Sequence, residues 1–189
     1  RRLGRRLADQ GTVRLEDLAG PERRAGIARA LAWKREWLAG KGLSSLVIGD
    51  ARWEKALLAL AEKDELACVA LRVGEDIAAL EVAFRRPPHW SAFLGAINPA
   101  YARCGPGQVQ MAETQAFARA SGFETYDLLG PADPFKRAIA PGEVAIRDYF
   151  LPLSLKGRLA GRALRHAPRM RAAAHRLPAG LRRRLLGAG

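Results

Sequence analysis

Residues 101–111 read YARCGPGQVQM, and this stretch decides the fold. Two glycines that flank a proline, Gly105 and Gly107, fix a sharp loop. The loop follows a strand-like run and precedes a helical pattern over 108–121, which Gly122 would end. At such a strand-to-helix turn, free backbone N–H groups and the helix dipole favour an anion. The sequence therefore predicts an anion-binding loop, with an ordinary structural turn as the alternative.

The segments around this loop carry helix and strand patterns in a definite order. Helical patterns at 21–38 and 51–63 precede three strand-like runs, LACVALRV, DIAALEVAF and HWSAFLGAI. Beyond the loop helix, FETYDLL is typical of a strand, 134–138 of a short helical turn and EVAIRDYFL of a final strand. This order predicts an α+β fold with a mixed central sheet flanked by helices.

The net charge of +13 is concentrated at the two ends of the 189-residue chain. Residues 1–30 hold eight arginines against four acids, and the chain from 149 onward holds ten basic residues and no acid. The intervening body is close to neutral. A dedicated nucleic-acid surface would be patterned on the folded body, so the charge distribution argues against one. Two separated cysteines and three separated histidines also argue against a metal site.

Four segments in register resemble a known family. They are AWKREWLAGKGLSS, YARCGPGQVQM, ASGFETYDLLG and DPFKRAI. Their order, with a glycine turn between a strand and a helix, resembles the GNAT acyltransferase fold, and within it the FemAB-related branch that includes CelD-like cellulose-biosynthesis acetyltransferases. The resemblance covers about residues 21–150. Gly105 stands where this branch usually has Ser, and Phe135 where it has Tyr before Lys136.

The resemblance implies an acyl-CoA-dependent acyltransferase that uses acetyl-CoA or another acyl-CoA and no metal. Its glycine loop would hold the pyrophosphate of coenzyme A. In this interpretation Gly105 and Gly107 form the cradle, and the backbone N–H groups from Gly107 through Gln108 to Val109 are the donors. Arg103 would add a positive charge.

Acyl transfer requires a base, donors for the oxyanion and an acid for the leaving thiolate. Asp127 lies in the apolar run TYDLL, where desolvation would raise its pKa towards values useful for a base. The alternative is a buried carboxylate that is hydrogen-bonded to a loop. Tyr101 is a candidate donor to the thiolate, with packing as its alternative. The resemblance adds Lys136 as a contact for a phosphate or carbonyl group of the substrate.

Lys34 and Trp37 are candidate substrate contacts on the first long helix. Lys34 falls on the apolar stripe, between Leu31 and Leu38, where a cation is unusual. Together with Trp37 it suits an anionic or sugar substrate. The alternative places Trp37 in the core.

We expect three regions along the chain. Residues 1–20 are expected to link to a preceding N-terminal domain, 21–151 to form the GNAT-like domain, and 152–189 to form a basic helical tail. The tail is open to three interpretations: contact with anionic lipid, contact with RNA, or a solvated cap. We expect a cytoplasmic protein, at the inner face of the membrane if the tail contacts lipid.

The function predicted from the sequence is transfer of an acyl group, specifically acetyl, to a polysaccharide precursor or sugar amine by direct transfer. One alternative keeps the fold and takes the group from aminoacyl-tRNA, as FemAB relatives do. The other alternative is a non-catalytic basic module that binds membrane or nucleic acid.

Overall fold

The computed structural model describes residues 2–159, except 46, 64, 148 and 150, together with residue 161. A short 3-10 helix, Pro99–Cys104, stands between β4 and α4. The other elements follow the order α1 (Arg2–Ala8), β1 (Val13–Asp17), α2 (Gly20–Gly40), α3 (Ala51–Leu60), β2 (Leu66–Val73), β3 (Asp76–Arg86), β4 (His89–Ile97), α4 (Pro106–Ala120), β5 (Thr125–Asp127) and α5 (Pro134–Ile139).

The five strands form one mixed sheet in the order β1-β2-β3-β4-β5. The first three pairings are antiparallel, and β4 and β5 are parallel. β2 is buried along nearly its whole length, as expected for a strand covered on both faces. The predicted α+β fold class, with a mixed sheet flanked by helices, is confirmed.

The pairing between β4 and β5 is short. It joins His89 to Thr125, Trp90 to Tyr126 and Ser91 to Asp127. We call these paired residues the closed end. β4 then continues over 92–97 beyond the last β5 pairing, and we call this stretch the open end.

β4 also contains a bulge at the start of the open end. Its register with β3 changes between Val82, which faces Leu94, and Ala83, which faces Ala92. Phe93 is therefore the extra residue on β4. Its ring packs edge-to-face against Phe84, with centroids 5.4 Å apart.

Helices cover both faces of the sheet. On one face, α2 and α3 contribute Ile27, Leu31 and Leu57 to a core with Leu80 and Val82. On the other face, side chains of α1 and α4 pack against two smaller apolar clusters. α2 lies so close to the sheet that a Cβ on Gly26 would come within 2.8 Å of the Cys68 sulfur. This close approach fixes α2 beside the strands.

Residues 2–17 contain α1 and the edge strand β1, which pairs with β2 along its whole length, so the sheet begins before the predicted boundary at residue 21. The expected link to a preceding domain stays a prediction. The strand predicted over 143–151 is wrong. The stretch 143–151 contains no strand at its described residues. Val144 and Ile146 are exposed there, so the apolar alternation does not reflect burial.

The chain divides into two compact units, Arg1–Glu143 and Val144–Gly189. In the second unit, residues 155–159 are helical. The rest of the predicted basic tail lies outside the described residues, apart from 152–154 and 161. No helix in the described part of the chain is both long and apolar enough to span a bilayer.

Candidate functional site

A pocket of about 140 Å³ lies between α2 and the open end of β4. We call it the α2–β4 pocket. The helical spacing of α2 brings Trp33, Lys34 and Trp37 towards one region, because residues three and four apart share a helix face. The opposite wall is Gly95, Ala96 and Ile97, where β4 has no β5 partner. Two predicted substrate residues, Lys34 and Trp37, therefore line one pocket.

Lys34 is a half-buried cation in this pocket. Its Nζ lies 4.5 Å from the centroid of the Trp37 ring. Burial, followed by the positive charge of Lys136, lowers the pKa of Lys34. A cation that is partly withdrawn from water and faces a second cation gains from a nearby anion.

Lys136 is held by the loop between β5 and α5. Its Nζ donates hydrogen bonds to the carbonyl oxygens of Leu129, at 2.9 Å, and Pro131, at 3.2 Å. Asp127 binds the same peptide segment, because its Oδ1 accepts the Leu129 N–H at 2.8 Å. Leu129 has a φ of 56°, a left-handed conformation that is costly for a residue with a side chain. Asp127 and Lys136 thus bind the amide and the carbonyl of one strained residue.

The predicted burial of Asp127 is wrong. The residue lies at the exposed end of β5, where its side chain is solvated. The apolar run TYDLL suggested desolvation, but β5 is only three residues long and ends at this aspartate. Its hydrogen bond with Leu129 agrees with the loop contact of the alternative, but the burial that the alternative also required is wrong.

Tyr101 lies on the 3-10 helix, and its hydroxyl bonds a residue other than Asp127. Its hydroxyl donates to Asp76 Oδ2 at 3.0 Å. Desolvation and this bond raise the pKa of Tyr101, so the phenol keeps its proton at neutral pH. Its ring packs in the same apolar cluster as Ile97 and Val109.

The glycine loop forms as predicted, but its donors differ. Gly105 has a φ of 65° and precedes α4 as the N-cap residue. The Gln108 N–H donates to the Gly105 carbonyl at 3.3 Å, and regular helix geometry directs the Val109 N–H to the same oxygen. The predicted set of three free amides is therefore wrong. Among the described residues, only the Gly107 N–H of this set lacks a hydrogen bond.

The start of α4 adjoins the α2–β4 pocket through one side chain. A Cβ on Gly107 would lie 3.2 Å from Ile97 Cγ2, and Ile97 lines the pocket. Arg103 is exposed on the last turn of the preceding 3-10 helix. The structure therefore brings Gly107 close to the pocket that contains Lys34 and Trp37.

The sequence reasoning missed Glu81 on β3. This carboxylate is 5 % exposed and accepts hydrogen bonds from Trp90 Nε1, at 3.0 Å, and from the Tyr126 hydroxyl. Burial raises the pKa of Glu81, and the two donated bonds oppose that effect. The available signal was one acidic residue inside the apolar strand pattern DIAALEVAF. Across the described residues, no cluster of His, Cys, Asp and Glu could hold a metal ion.

Comparison with known proteins identifies a family model that matches this chain. The family model described as "Acetyltransferase (GNAT) domain" matches residues 1–137. A search of curated protein sequences found no match.

Solved structures share the fold at low sequence identity. A possible acetyltransferase from Clostridium difficile 630 is 7 % identical, covers 74 % of this chain and 97 % of its own, and has a TM-score of 0.57. A GCN5-related N-acetyltransferase from Ralstonia eutropha JMP134 is 11 % identical, with 73 % and 99 % covered and a TM-score of 0.53. A ribosomal-protein-alanine N-acetyltransferase from Brucella melitensis biovar Abortus 2308 is 9 % identical, with 76 % and 100 % covered and a TM-score of 0.50.

Proposed function

The chain belongs to the GNAT acetyltransferase family, and from this premise we propose that it transfers an acetyl group from acetyl-CoA to a sugar amine or hydroxyl of a polysaccharide precursor. The transfer is direct, without an acylated enzyme. The observation that carries the proposal is Ile97, which both lines the α2–β4 pocket and contacts the start of α4. A donor bound at α4 and an acceptor bound in the pocket would meet at this residue.

The start of α4 is the proposed site for the diphosphate of acetyl-CoA. The positive end of the helix dipole, the unbonded Gly107 N–H and the exposed Arg103 all favour an anion there. Gly105 and the amides of Gln108 and Val109 shape this turn. The thioester would then lie along the open end of β4.

The α2–β4 pocket is the proposed acceptor site. Within the pocket, Trp37 offers an aromatic face and Lys34 a positive charge, and Lys136 outside the lining lies near enough to Lys34 to lower its pKa. An aromatic face with a few placed polar groups is typical of small-molecule sites. This combination favours a sugar that carries a phosphate or carboxylate group.

The reaction forms a bond between the acceptor nitrogen or oxygen and the acetyl carbon, and it breaks the bond from that carbon to sulfur. Asp127 is the proposed base for the acceptor proton, and Lys136 the proposed partner of the developing oxyanion. Tyr101 is the proposed proton donor to the thiolate. To act in this way, the Tyr101 hydroxyl must leave Asp76 when acetyl-CoA binds.

Thermal shift with acetyl-CoA tests the donor. A ligand that binds the folded state alone stabilises it by RT ln(1 + [L]/Kd), so the melting temperature must rise with acetyl-CoA concentration. Adenosine serves as a control that lacks the diphosphate and thioester. A melting temperature that does not change with millimolar acetyl-CoA would overturn the proposal.

Mass spectrometry of two acceptors tests the pocket. Glucosamine and glucosamine 6-phosphate carry the same amine and differ in charge. We expect acetylation of both, with a lower KM for the phosphate ester. Lys34→Met should remove that difference, whereas Lys55→Met, an exposed lysine on α3, should preserve it. Equal KM values for the two sugars in the wild type would contradict the anionic acceptor.

A further inference from the structure

One buried carboxylate connects three neighbouring strands. Glu81 on β3 accepts a hydrogen bond from the indole of Trp90 on β4 and another from the phenol of Tyr126 on β5. We call these three residues the Glu81 clasp. Trp90 is fully buried and its ring packs edge-to-face on Phe117 and Phe123, so the clasp lies on the face covered by α4.

The clasp lies where β4 and β5 begin to separate. Trp90 and Tyr126 are paired at the closed end. Glu81 is paired with Gly95, which lines the α2–β4 pocket. The side chains of Trp90 and Tyr126 therefore extend from the closed end along the sheet towards Glu81, whose β4 partner Gly95 lines the pocket. Tyr126 crosses β4 to reach β3.

Two facts distinguish the clasp from ordinary packing. A buried carboxylate is costly, and an apolar residue at position 81 would avoid that cost. Strand pairing between β4 and β5 is also limited to three residue pairs, so it restrains β5 weakly. The bond from Tyr126 to Glu81 supplies a lateral restraint that the backbone lacks.

We infer that Glu81 and Tyr126 are positioning residues that hold β5 at the closed end and thereby set the separation between the end of β5 and the open end of β4, which we call the gap. This inference rests on the proposed function, in which the acetyl-CoA thioester lies in that gap. The clasp itself touches neither donor nor acceptor. It acts by keeping the gap in its binding geometry before the donor arrives, which lowers the ordering cost of binding.

Tyr126→Phe is the main test, because it removes one oxygen atom and keeps the ring. The matched control is Thr114→Val, which removes a fully buried hydroxyl from α4 that donates to the Gln110 carbonyl and accepts from Gln110 Nε2, both within that helix. Acetyl-CoA affinity is measured by calorimetry on both variants well below their melting temperatures. Amide hydrogen exchange of Thr125–Asp127 is measured in parallel without ligand.

We expect Tyr126→Phe to raise the Kd for acetyl-CoA about tenfold, which corresponds to about 1.4 kcal/mol, and to speed exchange in β5. Thr114→Val should lower the melting temperature and leave both readouts as in the wild type. Glu81→Gln keeps an acceptor oxygen and should give an intermediate Kd. It also replaces the main test if Tyr126→Phe does not fold.

The outcomes separate this inference from the proposed function. If the wild type binds acetyl-CoA and Tyr126→Phe binds it equally well, the positioning role is overturned. If the wild type does not bind acetyl-CoA, the proposed function fails. In that case unchanged β5 exchange in Tyr126→Phe also overturns the clasp, whereas faster exchange supports the restraint.

Discussion

The two ends of the gap between β4 and β5 differ in how the protein compensates an ionisable side chain that is withdrawn from water. At the closed end, Trp90 and Tyr126 reach along the sheet to Glu81, which is buried and receives a hydrogen bond from each of them. At the open end, Lys34 is half-buried against the face of Trp37, and its charged neighbour is another cation, Lys136. One carboxylate is satisfied by its own chain, and one ammonium is left with a repulsive partner.

This difference distinguishes an ionisable group that holds the fold together from one that is available to a ligand. A buried polar group with all its partners fixes the strands around it. A partly buried cation beside a like charge raises the free energy of the empty site, and an anionic ligand would lower it. We therefore expect changes at the Glu81 clasp to act on stability, and on binding only through the position of β5, whereas changes at the open end act on binding directly.

Trp90→Ala should have the largest effect on stability. The ring is fully buried, and its loss also removes one donor from Glu81. We expect the free energy of unfolding to fall by about 3–5 kcal/mol. Urea denaturation measures it, with Trp53→Ala as the control, because Trp53 is 45 % exposed. Equal losses in the two variants would show that the closed end is not a rigid core.

Glu81→Gln should change how stability depends on pH. Because burial raises the pKa of Glu81, the folded state binds more protons than the unfolded state. Wild-type stability should therefore fall as pH rises from the ordinary glutamate pKa through the folded one, by at most about 1.4 kcal/mol per pH unit. Urea denaturation of both proteins from about pH 4 to about pH 7 isolates this slope. A constant difference between them would contradict the assignment.

Lys136→Met should raise the pKa of Lys34 while changing stability by less than about 1 kcal/mol. The substitution removes a like charge, and the remaining burial still holds the pKa below its ordinary value. Folded Lys34 binds fewer protons than unfolded Lys34, so the wild type gains stability as pH rises through the window below 10.5, and the variant should gain less. NMR titration of Lys34 measures the shift, with Lys55→Met as the control.

Gly107→Ala should have the smallest effect on stability. Alanine favours the helix by about 1 kcal/mol, but its Cβ would lie 3.2 Å from Ile97 Cγ2, and the two effects should nearly cancel. Gly4→Ala on α1 meets no atom within 4 Å and should show the helix gain alone. Calorimetry should nevertheless find weaker acetyl-CoA binding for Gly107→Ala. Unchanged affinity would separate the start of α4 from the donor site.

Local pattern predicted most of the framework. The strand-like runs LACVALRV and DIAALEVAF, the helix after Pro21 and the helix after Gly105 correspond to β2, β3, α2 and α4. The error lies over 143–151, where apolar alternation predicts a strand and the described residues form none. A strand also needs a partner, which β1 has in β2, and local alternation does not encode one.

The site was predictable only where its residues share one element. Lys34 and Trp37 are three positions apart on α2, so helical spacing brings them together. Glu81 finds Trp90 nine positions away and Tyr126 forty-five positions away, and no local pattern encodes those contacts. The apolar run around Asp127 predicts burial, but β5 is only three residues long and ends at this aspartate, which leaves it exposed.

Phe93, the extra residue of β4, determines which face of the sheet each half of that strand supplies. A regular pleat would direct Trp90, Leu94 and Ala96 to the same side, since they are spaced by even numbers. Phe93 inverts that parity, so Trp90 joins the core under α4, whereas Leu94 and Ala96 join the core under α2. Deleting Phe93 would turn Leu94 and Ala96 towards α4 and leave Trp90 in place, so the wall of the α2–β4 pocket would be lost.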